Sequence, residues 1–466
     1  MMESVKELIE IIRKRPKDGI ILRYVDADRI HTITNDEFVS DVDSYIRGIT
    51  RYFQGEPAGH HIALIAPTSI EYVEIVLAIE LAGAVAVLIN PLEEESEIGT
   101  MIERADVDLV IRKPTDYIVM DGIEDFGITE ANGTIKDRAE VFSFLIYTSG
   151  TEGNMKGVML SQRNVLTSAG DVTGVFGKIA AIRPDISFKS CYVMLPLYHV
   201  FGLSILFTAI SGGVILDLCT NFKQFYRDLQ LLGSEIIACP PMAIKMFVSD
   251  LMRGNRYKWG DGLKFIFSGA AKLPEDEQKI IIENGFFIAF GYGMTETAGP
   301  LAINCYLDKM GSVGRPSART QVEIRDNEIF IRNNSVMLGY YKDPETTGKV
   351  LKDGWIATGD YGYIDEDGCL YITGRKKNLI ILSSGENVSP EELENRLYKN
   401  TAIKECKVYE ENDRIVADIF APDSPAEEIH EFVKELNSLL PGFKRIYHVN
   451  LKDRELEKTA SGKIKR

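Results

Sequence analysis

Between His60 and Asn90 the chain reads HHIALIA, then SIEYVEIVLAIELAG, then AVAVLIN. A short apolar run, a longer apolar run and a second short run spell strand, helix, strand, with Ser69 placed to cap the helix. Strands that are apolar on both faces and joined by a helix belong to parallel α/β layers. The same alternation returns at VILDL, EIIACPP, LKFIFSG and FFIAFGYG, each run ending in Gly, Pro or Asp. Loops at the carboxyl ends of such strands are where open α/β sheets place ligands.

From about Gly311 the texture changes to short alternating strands with turn signals, TQVEIRDNEIFIRNN, DGWIATGD and YIDEDGCLYITG, which predicts an antiparallel section closing the first domain. After Gly374 come a charged hinge-like RKKN, a strand, a Gly/Ser/Asn loop, the helix PEELENRLY, the hairpin KECKVYEENDRIVADIFA and the helix PAEEIHEFVKELNSLL. A chain of 466 residues exceeds what one core usually supports. The expected fold class is α/β: residues 1–374 form a large N-terminal domain of layered α/β sheets with an antiparallel β section. Residues 375–466 form a small, mobile C-terminal α+β domain.

The net charge of -16 argues against nucleic acid or an anionic membrane as the main partner. The six cysteines, Cys191, Cys219, Cys239, Cys305, Cys369 and Cys406, are scattered, without CxxC or a zinc-ligand spacing. Reduced, buried thiols in a cytoplasmic protein fit that pattern. The N-terminal MMESVKELIEIIRKRPKDG reads as a charged amphipathic helix, not a signal peptide. No uncharged apolar run reaches the roughly 20 residues of a membrane span.

The stretch FLIYTSGTEGNMKGVML, Phe144 to Leu160, drops from an apolar run into hydroxyls and glycines and then shows one lysine. Thr148, Ser149 and Thr151, with the amides around Gly150 and Gly153, can donate to phosphate oxygens, and Lys156 adds a positive charge. The GK[ST] order of the common phosphate loop is missing, since Lys156 follows Met155. Alone, the stretch reads equally well as a surface turn.

It is accompanied by LPLYHVFGL (Leu195 to Leu203), SGAAKLP (Ser268 to Pro274), GYGMTET (Gly291 to Thr297), GYYKDPETT (Gly339 to Thr347), GWIATGD (Gly354 to Asp360), GRKKNLIILSSGENVSPEELE (Gly374 to Glu394) and KTASGKIKR (Lys458 to Arg466). With these eight motifs in order, the chain resembles the adenylate-forming superfamily of acyl-CoA synthetases, luciferases and peptide-synthetase adenylation domains over nearly its whole length. The resemblance implies a two-step reaction: carboxylate plus ATP gives acyl-adenylate and pyrophosphate, and a thiol then takes the acyl group.

It also implies roles. The phosphate loop cradles the β and γ phosphates. Thr295 reaches the α-phosphate, and Glu296 holds Mg²⁺, an ion usually bound by one or two carboxylates plus phosphates. Tyr292 offers adenine an aromatic face, while Gly269, Ala270, Ala271, Gly291, Gly293 and the neighbouring Met294 line the nucleotide. GYGMTE lacks the third glycine of a dinucleotide fingerprint, which removes a Rossmann reading. Asp360, ending the strand WIATGD, accepts from the ribose hydroxyls, with Arg375 donating and Ile372 as an apolar wall. Lys463 bridges the carboxylate oxygen and the α-phosphate. Because Lys463 belongs to the small domain, Lys377 matches the hinge about which that domain turns, presenting Ser384 and Gly385 to a pantetheine arm.

His199, Phe201, Met242 and Met294 suggest an apolar acid pocket suited to a fatty or aromatic acid. HVFGLS offers no carboxylate for a substrate ammonium, which disfavours an α-amino acid. Coenzyme A is the first choice of thiol and a carrier protein's phosphopantetheine the second. A non-catalytic nucleotide-binding relative is the alternative of another class. Against the family pattern, Met155 stands where Pro is usual, which loosens the turn, and Glu152 stands where Thr is usual, which removes a phosphate-donating hydroxyl and adds an unfavourable charge unless it points to solvent or helps hold Mg²⁺; together they predict weaker ATP affinity.

Overall fold

The computed structural model describes residues 2–112, 141–148, 155–269, 273–306, 308–383, 386–458 and 464–465. Its contacts divide the chain into two compact units: Met1–Gln321 with Arg332–Ile356, and Val322–Ile331 with Ala357–Arg466.

In the first unit the opening pattern folds as read. The strand His61–Leu64, the helix Ile70–Ala82 and the strand Val85–Leu88 follow one another, with the two strands parallel and wholly buried. Ser69 Oγ accepts the Tyr72 amide, and Gly83 ends the helix in the left-handed region that a glycine adopts at little cost. These strands belong to a six-stranded sheet ordered Gly339–Tyr340, Lys156–Ser161, Phe142–Thr148, Val85–Leu88, His61–Leu64, Leu109–Ile111. A second sheet of nine strands runs parallel from Phe287–Met294 through Phe265–Gly269, Ile236–Ala238, Ser190–Val193 and Ile215–Leu218 to Ile20–Asp26. The four later apolar runs are strands of this sheet.

Among the described residues one helix, Gln162–Ile182, is long and apolar enough by length and composition to cross a membrane. It is tied into the first unit from end to end. Asn164 Nδ2 donates to the carbonyls of Asn334 and Val336 at 2.7 and 2.8 Å, and Asp171 takes Arg319 Nε at 2.7 Å. The Phe176 ring meets the rings of Phe265 and Phe267 edge-on.

The second unit carries the antiparallel section. Asp326 and Asn327 both have positive φ, the geometry of a tight two-residue turn, and join Gln321–Arg325 to Glu328–Arg332. Two expectations change here. The strand Trp355–Ile364 continues past Asp360 and pairs with Leu370–Arg375, so Asp360 lies inside a strand instead of ending one. The section 357–374 groups with the C-terminal residues, whereas the sequence reading placed 1–374 together. A boundary at 374 falls inside the strand Leu370–Arg375, whose hydrogen bonds run to Trp355–Ile364.

The remaining residues form the hairpin Glu405–Glu411 with Arg414–Phe420 and a parallel strand Ile446–Lys452. The helices Pro390–Leu397 and Ala426–Ser438 bury Leu393, Leu397, Ile429 and Val433 against Val408, Ile415 and Ile419. None of the six cysteines forms a disulfide; Cys191, Cys239, Cys369 and Cys406 are buried, whereas Cys219 and Cys305 are half-buried, and burial pushes the Cys239 thiol up to about 12, as expected of an inert core thiol.

Candidate active site

The strands Phe142–Thr148 and Lys156–Ser161 are antiparallel, and their register sets Thr148 opposite Lys156. The two ends of the phosphate loop are therefore cross-strand partners. Ser149, Gly150, Thr151, Glu152 and Gly153 lie outside the described residues. Gly339–Tyr340 adds a third strand, with Tyr340 opposite Val158, and Tyr341 N donates to Gly157 O at 2.8 Å. That pairing brings the Lys156 ammonium over the Tyr340 ring, 4.9 Å from its centroid.

On its other side the Tyr340 hydroxyl donates to Glu296 Oε1 at 2.8 Å. Burial and the Glu296 charge push this hydroxyl well above the usual tyrosine range, so it remains a donor. Glu296 sits in the 3₁₀ turn Thr295–Thr297 with 8% of its surface exposed, and its backbone carbonyl accepts Met337 N at 2.8 Å. The turn is braced by Thr297 Oγ1, which accepts Met294 N and lies 2.9 Å from Gly299 O. Thr295 and Met294 are half-buried beside it.

Tyr292 is half-buried in the strand Phe287–Met294, opposite Ala302. The glycines around it have a cause besides nucleotide approach. A Cβ on Gly293 would stand 2.0 Å from Gly299 O, and one on Gly269 would stand 2.7 Å from Gly291 O and 3.3 Å from the Phe201 ring. Strand packing alone excludes side chains there. A Cβ on Gly291 would come 3.2 Å from the Pro300 ring, a tight contact that the ring must yield to by a few tenths of an ångström. Ala270 and Ala271 lie outside the described residues.

In the second unit Asp360 and Arg375 are paired residues of adjacent strands, with Arg375 Nε 2.7 Å from Asp360 Oδ1. Asp360 is 2% exposed and Arg375 half-buried, so the expected sugar acceptor and donor are held side by side. Ile372 is half-buried in the same strand as Arg375. Lys377 is exposed in the turn Lys376–Asn378. Sequence reading passed over Glu328, a buried carboxylate that takes Lys376 Nζ at 2.6 Å and Gly359 N at 3.2 Å. Ser384, Gly385 and Lys463 lie outside the described residues.

Of the expected acid pocket, His199 is the exposed N-cap of the helix Val200–Gly212, its ring 4.8 Å from that of Tyr198. Phe201, on the first turn of that helix, packs against Phe267 and flanks Gly269. Met242 stands near the start of the helix Pro241–Met252 and is 53% exposed.

A hard cation takes oxygen ligands from carboxylates. Glu296 is a buried carboxylate to which no basic side chain among the described residues is paired; among those residues its one side-chain partner is the neutral hydroxyl of Tyr340. The donor present fits a magnesium ion shared with phosphates. No group of three or more potential metal-ligating side chains occurs among the described residues.

The family model described as AMP-binding enzyme matches residues 10–341, a span that holds Thr148, Lys156, Glu296 and Tyr340. The chain belongs to the AMP-binding enzyme family. It is 30% identical over 377 residues to a 2-succinylbenzoate–CoA ligase of Bacillus cereus strain Q1, covering 76% of each chain. Among solved structures it is similar to O-succinylbenzoate coenzyme A synthetase from Bacillus subtilis. In complex with ATP and magnesium ion, that protein matches with TM-score 0.78 and 25% identity over 98% of both chains. In complex with the acyl-adenylate intermediate it matches with TM-score 0.79 and 25% identity, over 98% of this chain and 96% of that one.

Tyr340, like Glu328, is a residue that sequence reasoning missed. Its signal was present in GYYKDPETT, a motif used for recognition but given no chemical part.

Proposed function

We propose that this AMP-binding enzyme is an ATP-dependent carboxylic acid–CoA ligase, which forms an acyl-adenylate and then transfers the acyl group to the CoA thiol. The observation that carries the reading is the similarity, over three quarters of both chains, to a 2-succinylbenzoate–CoA ligase. An aryl acid of that kind is accordingly the first candidate substrate, ahead of a fatty acid.

A carboxylate is a poor electrophile because its charge and resonance oppose attack, so joining it to AMP supplies a leaving group. Neutralising phosphate charge is then the main task of the site. In this reading Thr148, Ser149, Thr151 and Lys156 bind the departing phosphates, and Thr295 contacts the α-phosphate. Glu296 would hold Mg²⁺, which when bound offsets phosphate charge. Tyr292 lies against adenine, Asp360 accepts from the ribose hydroxyls and Arg375 donates to the same sugar.

Lys463 steadies the charge between carboxylate and α-phosphate. The residues after Lys377 then turn about it, withdrawing Lys463 and bringing Ser384 and Gly385 to the pantetheine arm. His199 and Phe201, with Met242 and Met294, wall the acid. The proposed setting is the cytoplasm.

The test is acid-dependent ATP–pyrophosphate exchange across a panel of aryl and fatty acids, followed by thiol-dependent AMP release with CoA or a holo-carrier protein. Exchange with an aryl acid and release with CoA are expected. ATP binding without exchange on any acid would instead mark a non-catalytic relative. Acylation of the carrier alone would mark a carrier-loading enzyme.

A further inference from the structure

Three groups from three separate segments meet at one side chain. Lys156 belongs to the phosphate hairpin, Glu296 to the turn after Phe287–Met294, and Tyr340 to the short strand that pairs with the hairpin. The ammonium lies over the tyrosine ring and the carboxylate accepts from the tyrosine hydroxyl. The two charges thus approach one rigid ring from different parts and are not paired with each other.

A direct Lys156–Glu296 ion pair would have cancelled both charges before any nucleotide arrived. A neutral ring with a negative face and a donor hydroxyl can hold both while leaving each its charge. The ring has little freedom to drift. Tyr340 N donates to Thr347 Oγ1 at 2.8 Å, Leu338 N to Met159 O at 2.9 Å and Tyr341 N to Gly157 O at 2.8 Å. The side chain itself is buried.

We propose that Tyr340 is a positioning residue that holds the phosphate-binding lysine and the metal-binding carboxylate apart and in place, its ring seating Lys156 and its hydroxyl orienting Glu296. This rests on the nucleotide-binding reading above. The two halves of the ring have separable duties, so two substitutions separate them. Tyr340→Phe keeps the seat for Lys156 and removes the grip on Glu296; Tyr340→Leu removes both.

The experiment is calorimetric binding of ATP to the full-length protein, with excess chelator and across a Mg²⁺ series. Tyr340→Phe is expected to bind metal-free ATP as the unsubstituted protein does, while the strengthening of ATP binding by Mg²⁺ falls by about tenfold. Tyr340→Leu is expected to lose affinity for metal-free ATP as well. In a cycle with Glu296→Gln, the Tyr340→Phe effect on the Mg²⁺ series is expected to vanish, which a merely structural tyrosine would not produce.

Wild-type Mg²⁺ strengthening in Tyr340→Phe, or equal loss of metal-free and metal-assisted binding, overturns the inference and leaves the ligase reading standing. Failure of the unsubstituted protein to bind ATP under any condition overturns both.

Discussion

Glu74 sits in the middle of the helix Ile70–Ala82 with 3% of its surface exposed, and its Oε1 has no hydrogen-bond partner among the described residues. Burial first, and then the charges of Asp41 and Glu71, push its carboxyl up to about 9. A carboxyl raised in the folded state is protonated there while the unfolded chain releases its proton near 4.5. Folding therefore loses stability as pH climbs from about 4.5 towards 9, by an amount on the order of 3 kcal/mol at pH 7. Glu74→Gln is expected to raise the melting temperature at pH 8 and to flatten its decline between pH 5 and 9. A thermal denaturation series in which wild type and variant decline in parallel would contradict this. The sequence shows Glu74 only as a charged letter in an apolar helix, since what surrounds a helix on all sides is decided by distant segments. Ser69, by contrast, was legible because a cap acts within one turn. Gly293 was legible as small, but its reason, the carbonyl of Gly299 across the strand pair, was not.

Between elements, Glu328 joins the strand Trp355–Ile364 at Gly359 to the turn at Lys376, in each case through a carboxylate oxygen. The ion pair raises the Lys376 ammonium above its usual range, chiefly through the hydrogen bond to Glu328. Replacing Glu328 by Gln keeps the shape and removes the charge, so amide exchange at Gly359–Asp360 and Lys376–Asn378 is expected to quicken roughly tenfold. Hydrogen-exchange mass spectrometry checks this, and unchanged protection in both segments would show that the pair holds neither. The elements themselves were largely readable. The strands at VILDL, EIIACPP, LKFIFSG and FFIAFGYG, the helices after Ser69 and Ser389 and the hairpin around Asn412 stand where pattern and turn chemistry set them. The affiliation of the antiparallel section was not readable, because alternation announces a strand without saying which core its buried face joins.

At the scale of the whole molecule each unit has its own buried cluster, with Ile380, Leu393, Val408, Ile415 and Val433 among those of the second. If the C-terminal residues serve two half-reactions in turn, Lys463→Ala should slow adenylate formation by roughly 10²-fold or more, a loss typical of a missing transition-state charge. Acyl transfer from a supplied acyl-adenylate to CoA should stay within about threefold of normal. Rapid-quench measurement of the two steps separates them, and equal loss in both would contradict the alternation. The chain also crosses between the units at Gln321/Val322, Ile331/Arg332 and Ile356/Ala357. During synthesis, Val322–Ile331 leaves the ribosome before the strand Trp355–Ile364, whose Thr358 Oγ1 and Gly362 N bond to Ile329 O and Asn327 O. At about 5–20 residues per second Val322–Ile331 waits on the order of seconds with that edge unpaired. The nascent chain is thus most exposed to mispairing at the moment its first unit is nearly complete.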